Sequence, residues 1–203
     1  MFKELKLDKG NALVIVAHPD DELIWMGGTI LKYPEINWTI FTLCRSDDPD
    51  RAPKYEKVCR YYGAKGMISD LEDEGIMNIR QSVPEIEKRI IKYVPNKTYQ
   101  WLFTHNVNGE YGHIRHKGVH KAVKNLITSG KLTADNLFLF SYNMGKNGKY
   151  AVTDKERADF VVNLNKQLHN KKLHVIQNIY GFLPPTFEVK SCHPVETFCK
   201  FKK

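Results

Sequence analysis

The sequence predicts an α/β protein, a single domain built on a mainly parallel sheet. Three observations carry this expectation. Short apolar runs of strand length alternate with segments of helical period, the pattern of successive βα units. The first run, Leu13-Val14-Ile15-Val16-Ala17, is apolar throughout, as a fully buried strand would be. The chain has 203 residues, 42% of them hydrophobic and 27% charged, which is globular in composition and suited to one compact core.

The elements follow in order. After Leu13–Ala17, residues 21 to about 33 are compatible with a helix, and Trp38–Cys44 reads as a second strand. A polar loop, 45–53, leads to a helix over roughly 55–62, and Met67-Ile68-Ser69 is a short strand. Ser82-Val83-Pro84-Glu85 has the form of a capping box, with Ile86, Ile90, Ile91 and Val94 continuing an apolar face. Trp101–Thr104 is a strand. A glycine-rich loop runs to Gly112, and a helix then carries Val119, Val123, Leu126 and Ile127. Leu137–Phe140 is a further strand. Phe160, Val161, Leu164 and Leu168 suggest the stripe of a late helix, and the tail from Tyr180, with Pro184, Pro185 and Pro194, suggests edge strands and loops.

Charge and composition exclude several function classes. Lys and Arg number 31 against 23 Asp and Glu, a net charge of +8, which favours anionic partners without choosing among nucleic acid, phosphorylated metabolites and lipid headgroups. No regular basic stripe interleaved with aromatic residues is present, so nucleic acid is not expected as a partner. No run approaches the roughly 18 apolar residues of a membrane-spanning helix. The start, Met1-Phe2-Lys3-Glu4-Leu5-Lys6, lacks an apolar signal region, and Cys44, Cys59, Cys192 and Cys199 show no CxxC spacing. A cytoplasmic protein with reduced thiols is therefore expected. The oligomeric state is open, a homo-oligomer included.

Two clusters carry chemistry. His18-Pro19-Asp20-Asp21-Glu22 lies where a buried strand meets a helix, the ligand-binding edge of an open α/β sheet. His18 offers an imidazole to a metal, and Asp21, three residues on, can wrap back with a carboxylate. Asp20, between them, is placed as a base toward a metal-activated water. Helix capping is the competing reading of the acids, but a His, a Pro and three acids together at a strand end exceed what capping needs. Gly27-Gly28 weakens the helix behind them, which close backbone packing would explain.

Gly109-Glu110-Tyr111-Gly112-His113-Ile114-Arg115-His116 follows a later strand end. His116 and His120 share a stripe with Val123 and Ile127, and one ligand from this segment would complete two His and one carboxylate, a set suited to catalytic zinc. Tyr111 can donate its hydroxyl to a developing oxyanion. His116 and His120 have the spacing of a zincin pair, but Lys117 stands where that motif needs Glu. His120 reads as a histidine packed behind the site. His105 is either a hydrogen-bond partner of the site or a plain loop residue, and His169, His174 and His193 read as surface or packing residues.

These two motifs, about ninety residues apart, resemble those of the PIG-L/LmbE-like family of zinc-dependent de-N-acetylases. The resemblance implies a Rossmann-like three-layer sandwich over residues 1–203, with a core at about 12–145 and further C-terminal elements at 150–203. It implies Zn2+ bound by His18, Asp21 and His116. It makes Asp20 the general base, His113 an acid or electrostatic stabiliser, and Tyr111 a group near the substrate carbonyl. A substrate arginine after the second strand corresponds to Arg45 or Arg51. Many members read His-Pro-Asp-His where this chain has His113-Ile114-Arg115-His116. Arg115 is expected near the rim, favouring a more anionic substrate.

The reaction so implied is removal of an acetyl group from an N-acetylglucosamine-type sugar, free or linked to a carrier or phosphate. Zinc lowers the pKa of bound water from 15.7 to about 7. Asp20, kept ionised by zinc and the helix N-terminus, takes the proton. Either Asp20 or His113 protonates the leaving amine. Hydrolysis of another N-acyl amide is the nearest alternative. A nucleotide-binding module is less compatible, because no glycine-rich phosphate loop is present and the acidic turn would repel phosphate.

Overall fold

The computed structural model describes residues 2–94 and 96–202. In chain order the elements are β1 (Lys3–Glu4), β2 (Asn11–Val16), α1 (Asp21–Lys32), β3 (Asn37–Thr42), α2 (Arg51–Tyr62), β4 (Lys65–Ile68), α3 (Ile79–Tyr93) and β5 (Thr98–Thr104). There follow α4 (Gly109–Gly112), α5 (Ile114–Thr128), β6 (Thr133–Phe140), β7 (Tyr142–Met144), β8 (Ala151–Thr153), β9 (Phe160–Asn163), α6 (Lys166–His174), a π-helical turn (Val175–Ile179), α7 (Phe187–Ser191) and β10 (Val195–Lys200).

The main sheet has the order β1-β9-β10-β6-β5-β2-β3-β4, and β7 pairs with β8 apart from it. β2 runs parallel to β3 on one side and to β5 on the other. The chain therefore winds outward in both directions from β2. The crevice beyond the carboxyl ends of β2 and β5 is the switch point at which open α/β sheets bind ligands. Alternate residues of β2 supply two cores. Ala12, Val14 and Val16 face the side covered by α1, α2 and α6; Leu13 and Ile15 face α3 and α5. A three-layer α/β sandwich with a mainly parallel sheet is what the sequence predicted. No helix among the described residues is long and apolar enough to cross a membrane.

Several element assignments change. The capping box of α3 is formed by Asn78 and Gln81, not Ser82 and Glu85: the Asn78 side chain accepts from the Gln81 N–H at 3.1 Å, and the Gln81 side chain accepts from the Asn78 N–H at 3.0 Å. Ser82 is buried one turn inside the helix, and Pro84 lies within it. α2 begins at Arg51, four residues before Tyr55, which shortens the polar loop. Phe160–Leu168 is not one helix. The run Phe160-Val161-Val162, aromatic and β-branched as strands favour, pairs with β10 and β1, and Asn165 caps a separate helix, accepting from the Leu168 N–H at 2.9 Å. β10 is an interior strand, antiparallel to both β6 and β9, where the tail suggested edges.

α1 breaks at Met26, where φ is −149°. The N–H groups freed beyond the break are taken by Glu196 of β10, which accepts from Gly28 N–H at 2.8 Å and from Thr29 N–H at 2.7 Å. Lys172 neutralises Glu196 at 2.7 Å, and both side chains are fully buried. A Cβ on Gly28 would overlap the Leu164 side chain, and one on Gly27 would meet the Tyr62 hydroxyl and Leu23. The glycine pair is thus explained by close packing, against α2 and the C-terminal region.

Candidate metal centre

β2 delivers His18 to the crevice, and Pro19-Asp20 turn the chain into α1. The acids at this turn do more than cap a helix. Asp21 Oδ2 accepts from the His18 backbone N–H at 2.8 Å, its Oδ1 accepts from the Trp25 indole N–H at 2.8 Å, and Asp20 makes no side-chain cap bond at all. From the second strand end, α5 starts with His113, whose Nδ1 accepts from the Arg115 N–H at 3.2 Å. That cap sets His116 in the first turn of α5, facing back toward β2.

Three atoms converge. His18 Nδ1 lies 3.2 Å from Asp21 Oδ2 and 3.3 Å from His116 Nε2, and His116 Nε2 lies 3.4 Å from Asp21 Oδ2. Ligands about 2.0–2.1 Å from a tetrahedral zinc stand about 3.3–3.4 Å apart, so the triangle has the edge length of such a site. The opposite ring nitrogens are engaged elsewhere. His18 Nε2 meets Asp73 Oδ1 at 2.9 Å, and His116 Nδ1 meets Glu110 Oε2 at 2.6 Å. Each imidazole donates outward to a carboxylate, which turns its lone pair inward beside that of Asp21. Three lone pairs at this spacing repel one another unless a cation lies between them. The donor set and the spacing both fit a divalent metal.

The surrounding charges agree. Burial disfavours a charged His18, but hydrogen bonds donated to the Asp21 and Asp73 carboxylates lift its pKa to about 9, so without a metal a proton is drawn in. Burial likewise opposes ionisation of Glu110, yet His105 and His116 hold its carboxyl down to about 2. Glu110 Oε2 also meets His105 Nδ1 at 2.8 Å, and its Oε1 accepts from the Asn106 N–H at 2.8 Å. His105 Nε2 accepts from the Ala17 N–H at 3.0 Å, so this ring is occupied on both sides and stacks on His116 with centroids 3.8 Å apart. His105 is thus a hydrogen-bond partner of the site. His120, bonded through Nδ1 to the His105 carbonyl at 3.0 Å, packs behind it.

Beside the triangle opens a cleft of about 300 Å³, lined by Asp20, Trp25, Arg45, Arg51, Tyr111, His113 and Phe187 among others. Arg51 Nη1 meets Asp20 Oδ2 at 3.0 Å, and Arg45 meets Asp73 Oδ2 at 2.9 Å and Glu74 at 3.7 Å. Both candidate arginines therefore border the cleft, each already paired with a carboxylate. Five acids (Asp20, Asp21, Asp48, Asp73, Glu188) face two arginines in the lining, so the protein's positive charge is not concentrated here. With no cation present, burial and the Asp21 charge push the Asp20 carboxyl well above its ordinary range, against the pull of Arg51 and His18. The expectation that Asp20 stays ionised thus depends on a bound cation. Burial and the neighbouring His116 and His18 push His113 down to about 4, making it a neutral group with Nε2–H free to donate. Burial raises the Tyr111 hydroxyl, which stays protonated.

Arg115 corrects an expectation. It is not at the rim but 1% exposed, with Nη2 on Glu72 Oε2 at 3.0 Å and Nε 4.0 Å from Asp73. It anchors the acidic loop that carries Asp73, and it does not face the cleft lining. Asp73 and Glu110 went unassigned from sequence. Asp73 sits in the acidic run Glu72-Asp73-Glu74, which reads as a solvated loop. Glu110 lies inside the second motif, and its left-handed backbone, φ 55°, is an unusual conformation for a residue with a side chain.

Comparison with known proteins places this geometry in context. Residues 13–127 match the model of the family PIG-L, described as GlcNAc-PI de-N-acetylase. An uncharacterised protein of Acanthamoeba polyphaga mimivirus is 25% identical over 166 residues, covering 73% of this chain and 69% of its own. Among solved structures, N,N'-diacetylchitobiose deacetylase of Pyrococcus horikoshii aligns with a TM-score of 0.67 at 16% identity, over 96% of this chain and 84% of that one. The 4-carboxy-2-hydroxymuconate hydratase GalB of Pseudomonas putida aligns with a TM-score of 0.62 at 16% identity, over 91% of this chain and 83% of that one. At these identities the structural likeness is one of fold, and the fold serves more than one reaction.

Proposed function

The chain belongs to the PIG-L family, and from that membership and the site geometry we propose that it is a zinc-dependent de-N-acetylase. It hydrolyses the acetamide of an N-acetylglucosamine-type sugar in the cytosol. The observation that carries this reading is the triangle of His18 Nδ1, Asp21 Oδ2 and His116 Nε2, with edges of 3.2–3.4 Å beside an open cleft. His18, Asp21 and His116 hold the ion, with Asp73 and Glu110 orienting the two imidazoles. When bound, zinc polarises the acetyl carbonyl and acidifies a water.

The chain's own residues supply the remainder. Asp20, held by Arg51, accepts the proton of the attacking water as the carbon–oxygen bond forms. Tyr111 O–H and His113 Nε2–H donate to the oxyanion, each such donor being worth about 10²–10³ in rate. Since His113 is held neutral, Asp20 also carries the proton to the leaving nitrogen as the carbon–nitrogen bond breaks. Tyr111 and Phe187, both half-buried, give the cleft aromatic walls for a sugar ring, and Arg45 and Arg51 present N–H groups to its hydroxyls. The acidic lining favours a neutral sugar over the phosphate-linked one suggested by net charge.

Acetate release from a panel of N-acetyl sugars, sugar phosphates and simple N-acyl amides tests the reading. Turnover of neutral N-acetyl sugars that stops with chelator and returns with zinc is expected. Turnover of the simple amides alone would favour the broader amidase alternative, and chelator-insensitive turnover would overturn the metal assignment.

A further inference from the structure

Asp20 has a backbone φ of 120°, a conformation side-chain-bearing residues rarely adopt, so its surroundings must hold it there. Two separate contacts do so. The Asp20 backbone N–H donates to Glu22 Oε2 at 3.1 Å, and the other oxygen of this fully buried carboxylate accepts from the Tyr180 hydroxyl at 2.7 Å. The Asp20 side chain accepts from Arg51 Nη1 at 3.0 Å, and the Arg51 guanidinium lies 4.5 Å from the centre of the Phe182 ring. Both supports thus begin in the three residues Tyr180-Gly181-Phe182.

That segment is itself anchored. The Tyr180 N–H donates to the Val175 carbonyl at 3.1 Å and the Phe182 N–H to the Ile176 carbonyl at 3.1 Å, tying it to the π-helical turn. Gly181, at φ 83°, makes the left-handed turn between the two aromatic residues. None of these residues falls within 13–127, the part of the chain that matches the family.

We propose that the Tyr180-Gly181-Phe182 turn is a positioning element for Asp20, fixing its main chain through Glu22 and its carboxylate through Arg51. The inference rests on the reading of Asp20 as the base. A general base must sit within hydrogen-bond reach of the proton it takes, and a displacement near 1 Å costs about 10²-fold. A loss of about 10-fold in kcat is expected from loosening either support alone.

The test is a pair of double-mutant cycles, with N,N'-diacetylchitobiose as substrate. Tyr180→Phe should lower kcat with KM and bound zinc little changed. Phe182→Leu should lower kcat with bound zinc little changed and also raise KM, because Arg51 borders the substrate as well, and Phe182→Tyr should restore the rate. In an Asp20→Asn background neither should lower kcat further, because the group they act through is gone. Equal losses in both backgrounds, or losses confined to KM or zinc content, would overturn the proposal. An Asp20→Asn variant of undiminished kcat would instead refute the reading of Asp20 itself. Crystal structures of Tyr180→Phe and Phe182→Leu give a readout independent of turnover. Asp20 should leave its φ near 120° or its Arg51 contact, and an unmoved Asp20 in both would sink the idea.

Discussion

His18 Nδ1 and His116 Nε2 stand 3.3 Å apart although 98 residues separate them in the chain. Nothing local brings them together. Parallel pairing of β2 with β5 aligns two strand ends, and each histidine leaves its own end toward the same point. Asp21 completes the triangle from the first turn of α1.

The proposed ligand and base roles are separable by mutation. Asp20→Ala should retain zinc and lose about 10²–10⁴-fold in hydrolysis, the contribution of a positioned base. His116→Ala should lose both zinc and activity. Elemental analysis of the purified variants, paired with acetate release, reads the difference. Zinc lost from Asp20→Ala would show that its carboxylate is a ligand.

Glu110 and Asp73 orient the two imidazoles from behind. Glu110→Gln should weaken zinc binding by about 10–100-fold, the usual effect of losing a carboxylate behind a metal-bound histidine. Asp73→Asn should weaken it in the same direction. Competition against a chromophoric chelator measures both, and unchanged affinity in the two variants would mean that other contacts hold the rings.

Metal should also stabilise the fold. At free zinc 100 times its Kd, the native state gains about 2.7 kcal/mol. A melting transition that rises with zinc and falls with chelator is expected for the unaltered protein. The rise should vanish in His18→Ala. A zinc response that survives this substitution would locate the ion elsewhere.

The buried pair Lys172–Glu196 makes a different prediction, for stability alone. Glu196→Ala leaves the buried Lys172 ammonium without a counter-charge, with only the Ile24 carbonyl at 2.8 Å to receive it, and uncaps the second half of α1. A loss of about 3–5 kcal/mol is expected, as when one partner of a buried pair is removed. Glu196→Gln combined with Lys172→Met should recover part of it, because no unpaired charge remains. Urea unfolding of the single and double variants decides between them.

Much of this protein is legible along the chain. Apolar runs such as Leu13–Ala17 mark the buried strands, because a strand covered on both faces must be apolar on both. His18, Asp21 and His116 stand out because ligand types at strand ends have few other uses there. Local rivalry misled the reading in places. Ser82 and Glu85 have the right spacing for a capping box, but Asn78 and Gln81 supply one a turn earlier. Phe160 and Val161 match a helical stripe, yet sheet partners on both sides make them a strand.

What the sequence by itself determined is the periodic and the local: the buried strands and helix faces between about residues 12 and 140, and the three-residue spacing of His18 and Asp21. The tertiary structure alone decided which carboxylate stands behind each imidazole, where Arg115 is buried, and that Tyr180 and Phe182 close around Asp20. The physical reason is that periodicity reports which face of an element is buried, whereas contacts between distant loops follow from how the sheet is wound. No spacing encodes the meeting of Asp73 with His18 or of Glu196 with Gly28. Each depends on every strand between them being in register.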